Sequence, residues 1–177
     1  MPVDAEDTDA LEDRIAAYAP RVYGLLMRLV GKRDVAEDLM QETLLRAYGG
    51  LHRYRPQGQL RAWIFRIAVN LARDWIRRRP RRPVLGLEDP DGPAPDLADD
   101  PDRAPEANLH ARERNARVAE ALDRLSEPDR EVLLLRFYGD LAFKDIARTT
   151  GEPIGTVLAR AHRALHKLAD LLPGEET

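Results

Sequence analysis

The sequence predicts an all-α chain built as two small helical domains, and three features carry that reading. Apolar residues recur at offsets of three and four along most of the chain, with no alternating strand pattern. One segment, PVLGLEDPDGPAPDLADDPDRAP at residues 83–105, is rich in Pro, Asp and Gly and too poor in apolar residues to bury a core. It is expected to be a flexible acidic linker between a helical unit at 1–82 and a second at 106–177. With 177 residues in all, each unit can bury only a small core of its own.

The first unit reads as a three-helix bundle. Its opening helix is predicted over residues 9–30, kinked at Pro20 because proline lacks the amide that the helix ladder needs. The second helix is predicted from Asp34 to Tyr48, with Asp34 as N-cap, Glu37 in the capping-box position and Gly49-Gly50 as its end. Val35, Ala36, Leu39, Thr43 and Ala47 form its core stripe, while Asp38, Gln41, Glu42 and Leu45 lie opposite. A leucine ringed by acids and an amide suits a protein-binding patch. The alternative is that Leu45 is one of the apolar residues any surface carries.

The third helix, from about Gln59, lies in the most informative stretch, YRPQGQLRAWIFRIAVNLARDWIRRRPRR at residues 54–82, a dense run of arginines with Asp74 as its one acid. Trp63, Arg66, Asn70, Arg73 and Arg77 follow one another at helical offsets and share a face. Leu60, Ile64, Ile67, Ala68 and Leu71 form a buried stripe on another side. A ring, an amide and a column of guanidiniums suit nucleic acid: arginine binds phosphate, a ring stacks on an unpaired base, and an amide reads a base edge. A solvated basic helix with Trp63 in the core is the bland alternative.

In the second unit, residues 107–125 read as a charged amphipathic helix. Ser126 caps the next, SEPDREVLLLRFYG, with Pro128 in its first turn and Gly139 past its end. A short helix over residues 142–149, a turn at Thr150-Gly151-Glu152 and a long helix from Pro153 complete a helix-turn-helix. Ile154, Val157, Leu158, Ala161, Leu165, Leu168 and Leu172 are the expected core stripe of the long helix. Thr156, Arg160, Arg163 and Lys167 lie opposite, placed to meet guanine edges or phosphates. The alternative is an αα-hairpin with a solvated face.

Composition sets the outer limits. The net charge of −3 conceals segregation: an acidic start, a basic run at 53–82, an acidic linker and a basic last helix. The absence of cysteine excludes disulfides and Cys-ligated zinc within the chain. No apolar run is long enough to span a bilayer, and the start MPVDAEDTDALED has no signal-peptide pattern, so a cytoplasmic protein is expected. There is no phosphate loop, HExxH motif, Cys/His pair or convergent acid pair, which argues against an enzyme. His162 and His166 stand four apart but lack a neighbouring carboxylate or cysteine, so neither a metal nor a cofactor is expected. His162 can instead touch a DNA phosphate.

Four motifs in order, AEDLMQETLLRAY, WIFRIAVNLARDWIRRR, LSEPDREVLLLRFYGDLAFKDIA and GTVLARAHRAL, resemble the sigma-70 superfamily, in particular its extracytoplasmic-function group, which retains only regions two and four. The resemblance covers nearly everything but the tails and linker. It implies that Asp38, Gln41 and Glu42, with Leu45, dock on the clamp helices of the largest RNA polymerase subunit. It implies that Tyr54, Trp63 and Asn70, among Arg66, Arg73 and Arg77, hold the opened strand of the promoter −10 element. It further implies that the helix-turn-helix reads the −35 element through Thr156, Arg160, His162, Arg163 and Lys167 and meets the polymerase flap. The linker would thread toward the RNA exit path, and an anti-sigma protein is an expected regulator, without direct membrane insertion. The acidic tail or linker could also shield the arginine face.

The chain departs from that pattern after Gly-Thr-Val, where Leu158 and Ala159 replace a basic residue and a serine, and Ala161 replaces the usual leucine. An altered or weaker −35 preference follows. A stand-alone duplex-binding regulator is the competing reading, but it leaves the stacking face and the Leu45 patch without a purpose.

Overall fold

The computed structural model describes residues 5–51, 54, 59–78 and 115–172, and the regular structure among them is entirely helical. The expected linker at 83–105, residues 1–4 and residues 173–177 lie outside the described residues.

Among the described residues the first unit has four helices, not three. α1 spans Ala5–Ala16 and α2 spans Ala19–Val30, so the expected kinked helix is two helices. Pro20 sits in the first turn of α2, where its missing amide costs no ladder bond. α2 ends at Gly31, whose φ of 65° is left-handed and whose amide returns to the Met27 carbonyl. α3 spans Arg33–Gly50 with Lys32 at its N-cap. Asp34 therefore lies inside the first turn, favoured there by the helix dipole, and is not the N-cap. Glu37 instead accepts from Arg33 at 3.1 Å. Gly49 and Gly50 both belong to the helix they were expected to end.

The core stripe of α3 appears where periodicity put it. Ala36, Thr43 and Ala47 are buried, and Val35 and Leu39 pack partly against the core. Thr43 tolerates burial because its hydroxyl donates to the Leu39 carbonyl at 2.7 Å. α4 spans Leu60–Arg78.

In the second unit, residues 115–123 are helical and are called α5. α6 spans Glu127–Phe137, opened by Ser126, whose hydroxyl accepts the Asp129 amide at 3.3 Å. α7 spans Phe143–Thr150, Gly151 turns the chain with φ 75°, and α8 spans Ile154–Leu171. Ile146 of α7 and Val157, Ala161 and Ala164 of α8 are buried. Of the remaining expected stripe, Leu168 and Leu172 are half-buried, whereas Ile154, Leu158 and Leu165 are 50%, 45% and 48% exposed. α8 packs chiefly on α6 and α7, and its buried arc is too narrow to include them.

The two units share one buried cluster, running from Leu11 and Ile15 through Val22, Ile64 and Phe65 to Leu135, Ile146 and Ala164. α6 packs on α2, and α7 packs on α4. α4 is thereby covered on two sides, which explains why Phe65, Val69 and Ala72, outside the predicted stripe, are buried.

Candidate nucleic-acid and polymerase interfaces

The outer row of α4 begins with an aromatic pair. Trp63 is half-buried, and the ring of Tyr54 lies against it with centroids 5.2 Å apart and a 34° tilt. Gly50, at the end of α3, sits under the indole: a Cβ there would come within 2.9 Å of Cζ2 and 3.2 Å of Cη2. Gly50 thus lets the indole lie against the helix, a role its expected place as a helix terminator did not suggest. Backbone groups of Gln59 and Leu60 hydrogen-bond the Tyr54 phenol, which ties the ring to the start of α4. Burial raises its pKa above the ordinary 10.0, against the pull of Arg14 and those backbone groups, so Tyr54 stays neutral.

Arg66 and Asn70 continue the row, both exposed. Arg77 is exposed and binds Asp74 at 2.9 Å, within reach of water and of exchange for another anion. Arg73 is different. Its guanidinium grips Glu131 of α6 with both arms, Nη2–Oε1 at 2.5 Å and Nε–Oε2 at 3.0 Å. Neither the solvated-helix reading nor the fully core Trp63 describes this arrangement: the ring is fixed at the edge of the core, beside open polar groups.

On α3, Asp38, Gln41 and Leu45 are exposed and Glu42 is partly so. Leu45 is 65% exposed, a large apolar side chain held in water. Glu42 accepts from Arg46 one turn on at 2.7 Å. The α3 face therefore gathers one leucine, two carboxylates and an amide on a rigid element.

The basic residues of α8 are largely engaged within their own unit. Arg160 donates to Glu152 at 2.6 Å, Arg163 to Asp129 at 3.1 Å, and Lys167 to the Arg124 carbonyl. Thr156, His162 and Arg163 are exposed, and the His162 and His166 rings lie 4.4 Å apart. Among the described residues, no group of His, Cys, Asp and Glu could hold a metal ion. No described helix is long and apolar enough to cross a membrane.

An α-helical unit with an aromatic–arginine row, followed by a helix-turn-helix, defines a class of transcription factor, and comparison with known proteins names it. Residues 14–82 match the family model for Sigma-70 region 2, and residues 115–168 match Sigma-70, region 4. The chain is 38% identical over 166 residues to the ECF RNA polymerase sigma factor EcfG of Rhodopseudomonas palustris, covering 93% of this chain and 86% of that protein. It is 36% identical over 165 residues to the RNA polymerase sigma factor CarQ of Myxococcus xanthus, covering 93% and 90%. The fold matches that of the sigma factor RpoE of Bartonella quintana, co-crystallised with the anti-sigma factor NepR, at TM-score 0.68 and 24% identity over 93% and 97% of the two chains. The chain belongs to the extracytoplasmic-function group of the sigma-70 family. It is a non-enzymatic initiation factor whose partners are core RNA polymerase and promoter DNA.

Proposed function

We propose that the chain divides promoter-specific initiation among three surfaces. The α3 face of Asp38, Gln41, Glu42 and Leu45 binds the clamp helices of the largest polymerase subunit. The row of Tyr54, Trp63, Arg66, Asn70, Arg73 and Arg77 holds the opened −10 strand. α8 meets the −35 duplex through Thr156, Arg160, His162, Arg163 and Lys167, and its unit contacts the flap. The factor works in the cytoplasm, and an anti-sigma protein restrains it.

The aromatic pair carries this division. A duplex binder has no use for a ring fixed in place, whereas opening a base step forfeits stacking that a ring can partly return, about 1–3 kcal/mol per base. Tyr54 and Gly50 set the indole before DNA arrives, so less ordering cost falls on binding.

Two substitutions separate the surfaces. Asp38→Arg is expected to abolish binding to purified core polymerase while the isolated chain keeps its helicity. Trp63→Ala is expected to bind core normally yet leave promoter thymines unreactive to a single-strand probe. A chain that bound duplex DNA but never core polymerase would be a stand-alone regulator.

A further inference from the structure

α8 presents three different strips to its surroundings. Val157, Ala161 and Ala164 are buried and mark its inward side. At about 100° per residue, the direction opposite them holds Gly155, Ala159 and His162, all exposed. Thr156, Arg163 and Lys167 flank that line on one side, and Ile154, Leu158 and Leu165 flank it on the other.

The middle strip is small where it begins. A Cβ on Gly155 would meet nothing within 4 Å, and its φ is not left-handed. Neither packing within the chain nor backbone conformation therefore calls for glycine, which is a poorer helix residue than alanine. A side chain whose absence the chain itself does not use leaves room for a partner that comes close to the backbone. Ala159, one turn on, adds little bulk to the same ridge. Such a ridge lets α8 sink into a groove, so that the side chains beside it reach base edges.

On the cationic flank, Arg163 and Lys167 are engaged by Asp129 and the Arg124 carbonyl. On the apolar flank, Ile154 and Leu158 stand in water. Leu158 occupies the position where the sigma-70 pattern has a basic residue. An aliphatic side chain forms no hydrogen bond with a base. In the major groove its natural counterpart is the thymine C5-methyl, the apolar group that distinguishes T·A from the other pairs. The N-terminal turns of a recognition helix are the part that meets base edges, and Leu158 lies there. We infer that Leu158, with Ile154 one turn before it, reads thymine methyl groups in the upstream duplex. The chain then selects its −35 element partly by apolar contact instead of by a cation at that position. This rests on α8 meeting the −35 duplex as proposed above, and it adds a specificity-determining residue and a base to that reading.

The test uses holoenzyme assembled from the full chain and core polymerase, with a duplex library randomised upstream of the opened region. Selection is expected to yield an upstream element with thymine at one or two fixed pairs. Deoxyuridine in place of those thymines removes only the methyl, and binding should fall about fourfold per methyl. Cytosine at the same pair should bind weakly, and 5-methylcytosine should recover about the same factor. Leu158→Ala should lose the difference between thymine and deoxyuridine while still binding core polymerase. Leu158→Arg should move the preference at that pair to guanine. Equal binding of thymine and deoxyuridine duplexes by the wild type overturns the inference, whatever the variants do. A thymine preference that Leu158→Ala keeps in full assigns the methyl to another side chain and overturns it too. A Leu158→Ala chain that keeps its DNA preference but loses core polymerase places the apolar strip against protein instead. If no upstream element is selected at all, the reading of α8 as the duplex-binding helix fails, and the methyl contact with it.

Discussion

α4 and α8 look alike on paper, since each is an amphipathic helix with a row of cations at helical spacing. In the folded chain they differ in degree: α4 pairs Arg73 with Glu131 and Arg77 with Asp74 but keeps part of its row open. α4 exposes Arg66 and Asn70 beside a fixed aromatic pair. α8 commits Arg160, Arg163 and Lys167 to Glu152, Asp129 and a backbone carbonyl, and leaves Ile154, Leu158 and Leu165 in water. A charge on a helix meets DNA most readily where no nearer acceptor holds it, and an exposed pair such as Arg77–Asp74 or Arg163–Asp129 must first be exchanged. Cation content alone does not reveal which row is open.

The largest effect that tests this contrast should come from outside both helices. Leu45→Arg is expected to weaken core polymerase binding by 2 kcal/mol or more, about thirtyfold, as for a central interface side chain. Fluorescence titration with core would show it, and unchanged affinity would remove the α3 face from the polymerase contact.

Next should come the aromatic pair. Trp63→Ala should cost promoter opening about 1–3 kcal/mol. Gly50→Val should move opening in the same direction with the indole still present, because the new side chain pushes Trp63 off its seat. If Gly50→Val opened promoters normally, the position of the ring would not matter.

A smaller effect separates the two cation rows directly. Arg66→Ala should lower the log–log salt slope of single-strand binding by about 0.7, the value of one phosphate contact. Arg160→Ala should change the slope for duplex by well under 0.9, because Glu152 already holds that guanidinium. Leu158→Arg should raise the duplex slope by up to about 0.9, the value of one phosphate contact, by adding an unpaired cation to an exposed position. Equal losses from Arg66→Ala and Arg160→Ala would erase the distinction between the helices.

The smallest expected effect is a pH dependence at the junction of the two units. Burial raises the Glu131 carboxyl above its ordinary 4.5, ahead of the lowering by Arg73, with Glu127 and Glu152 adding to the rise. The Arg73 guanidinium is partly in water, so its attraction is screened and does not offset the burial. The folded state then binds more protons than the unfolded one between 4.5 and the raised value. Stability from this group is fully present below 4.5 and declines as pH rises through the raised pKa. Glu131→Gln should flatten that decline in denaturant titrations run across acidic to neutral pH. A decline of the same size in the variant would assign it elsewhere.

Much of the molecule was legible without coordinates. Periodicity placed the α3 stripe, Ser126 announced the start of α6, and Gly151 announced the turn before α8, because each depends on neighbours within a few residues. Caps and breaks were misread where two local rules competed. Pro20 could kink a helix or begin one, and Asp34 could cap a helix or sit inside it. Gly50 was read as a terminator because nothing local marks the indole that rests on it.

By itself, the sequence determined that the chain is helical, that its apolar faces fall where the 3.6-residue repeat puts them, and that four motifs in order make it a sigma factor. These properties are written in local spacing and composition. Only the tertiary structure decided that Arg73 belongs to Glu131, that Gly24 receives Tyr138, and that Leu158 and Leu165 stay in water. Each outcome depends on which distant surface covers a helix, and a helical repeat shows that a face is apolar or charged without showing what, if anything, packs against it.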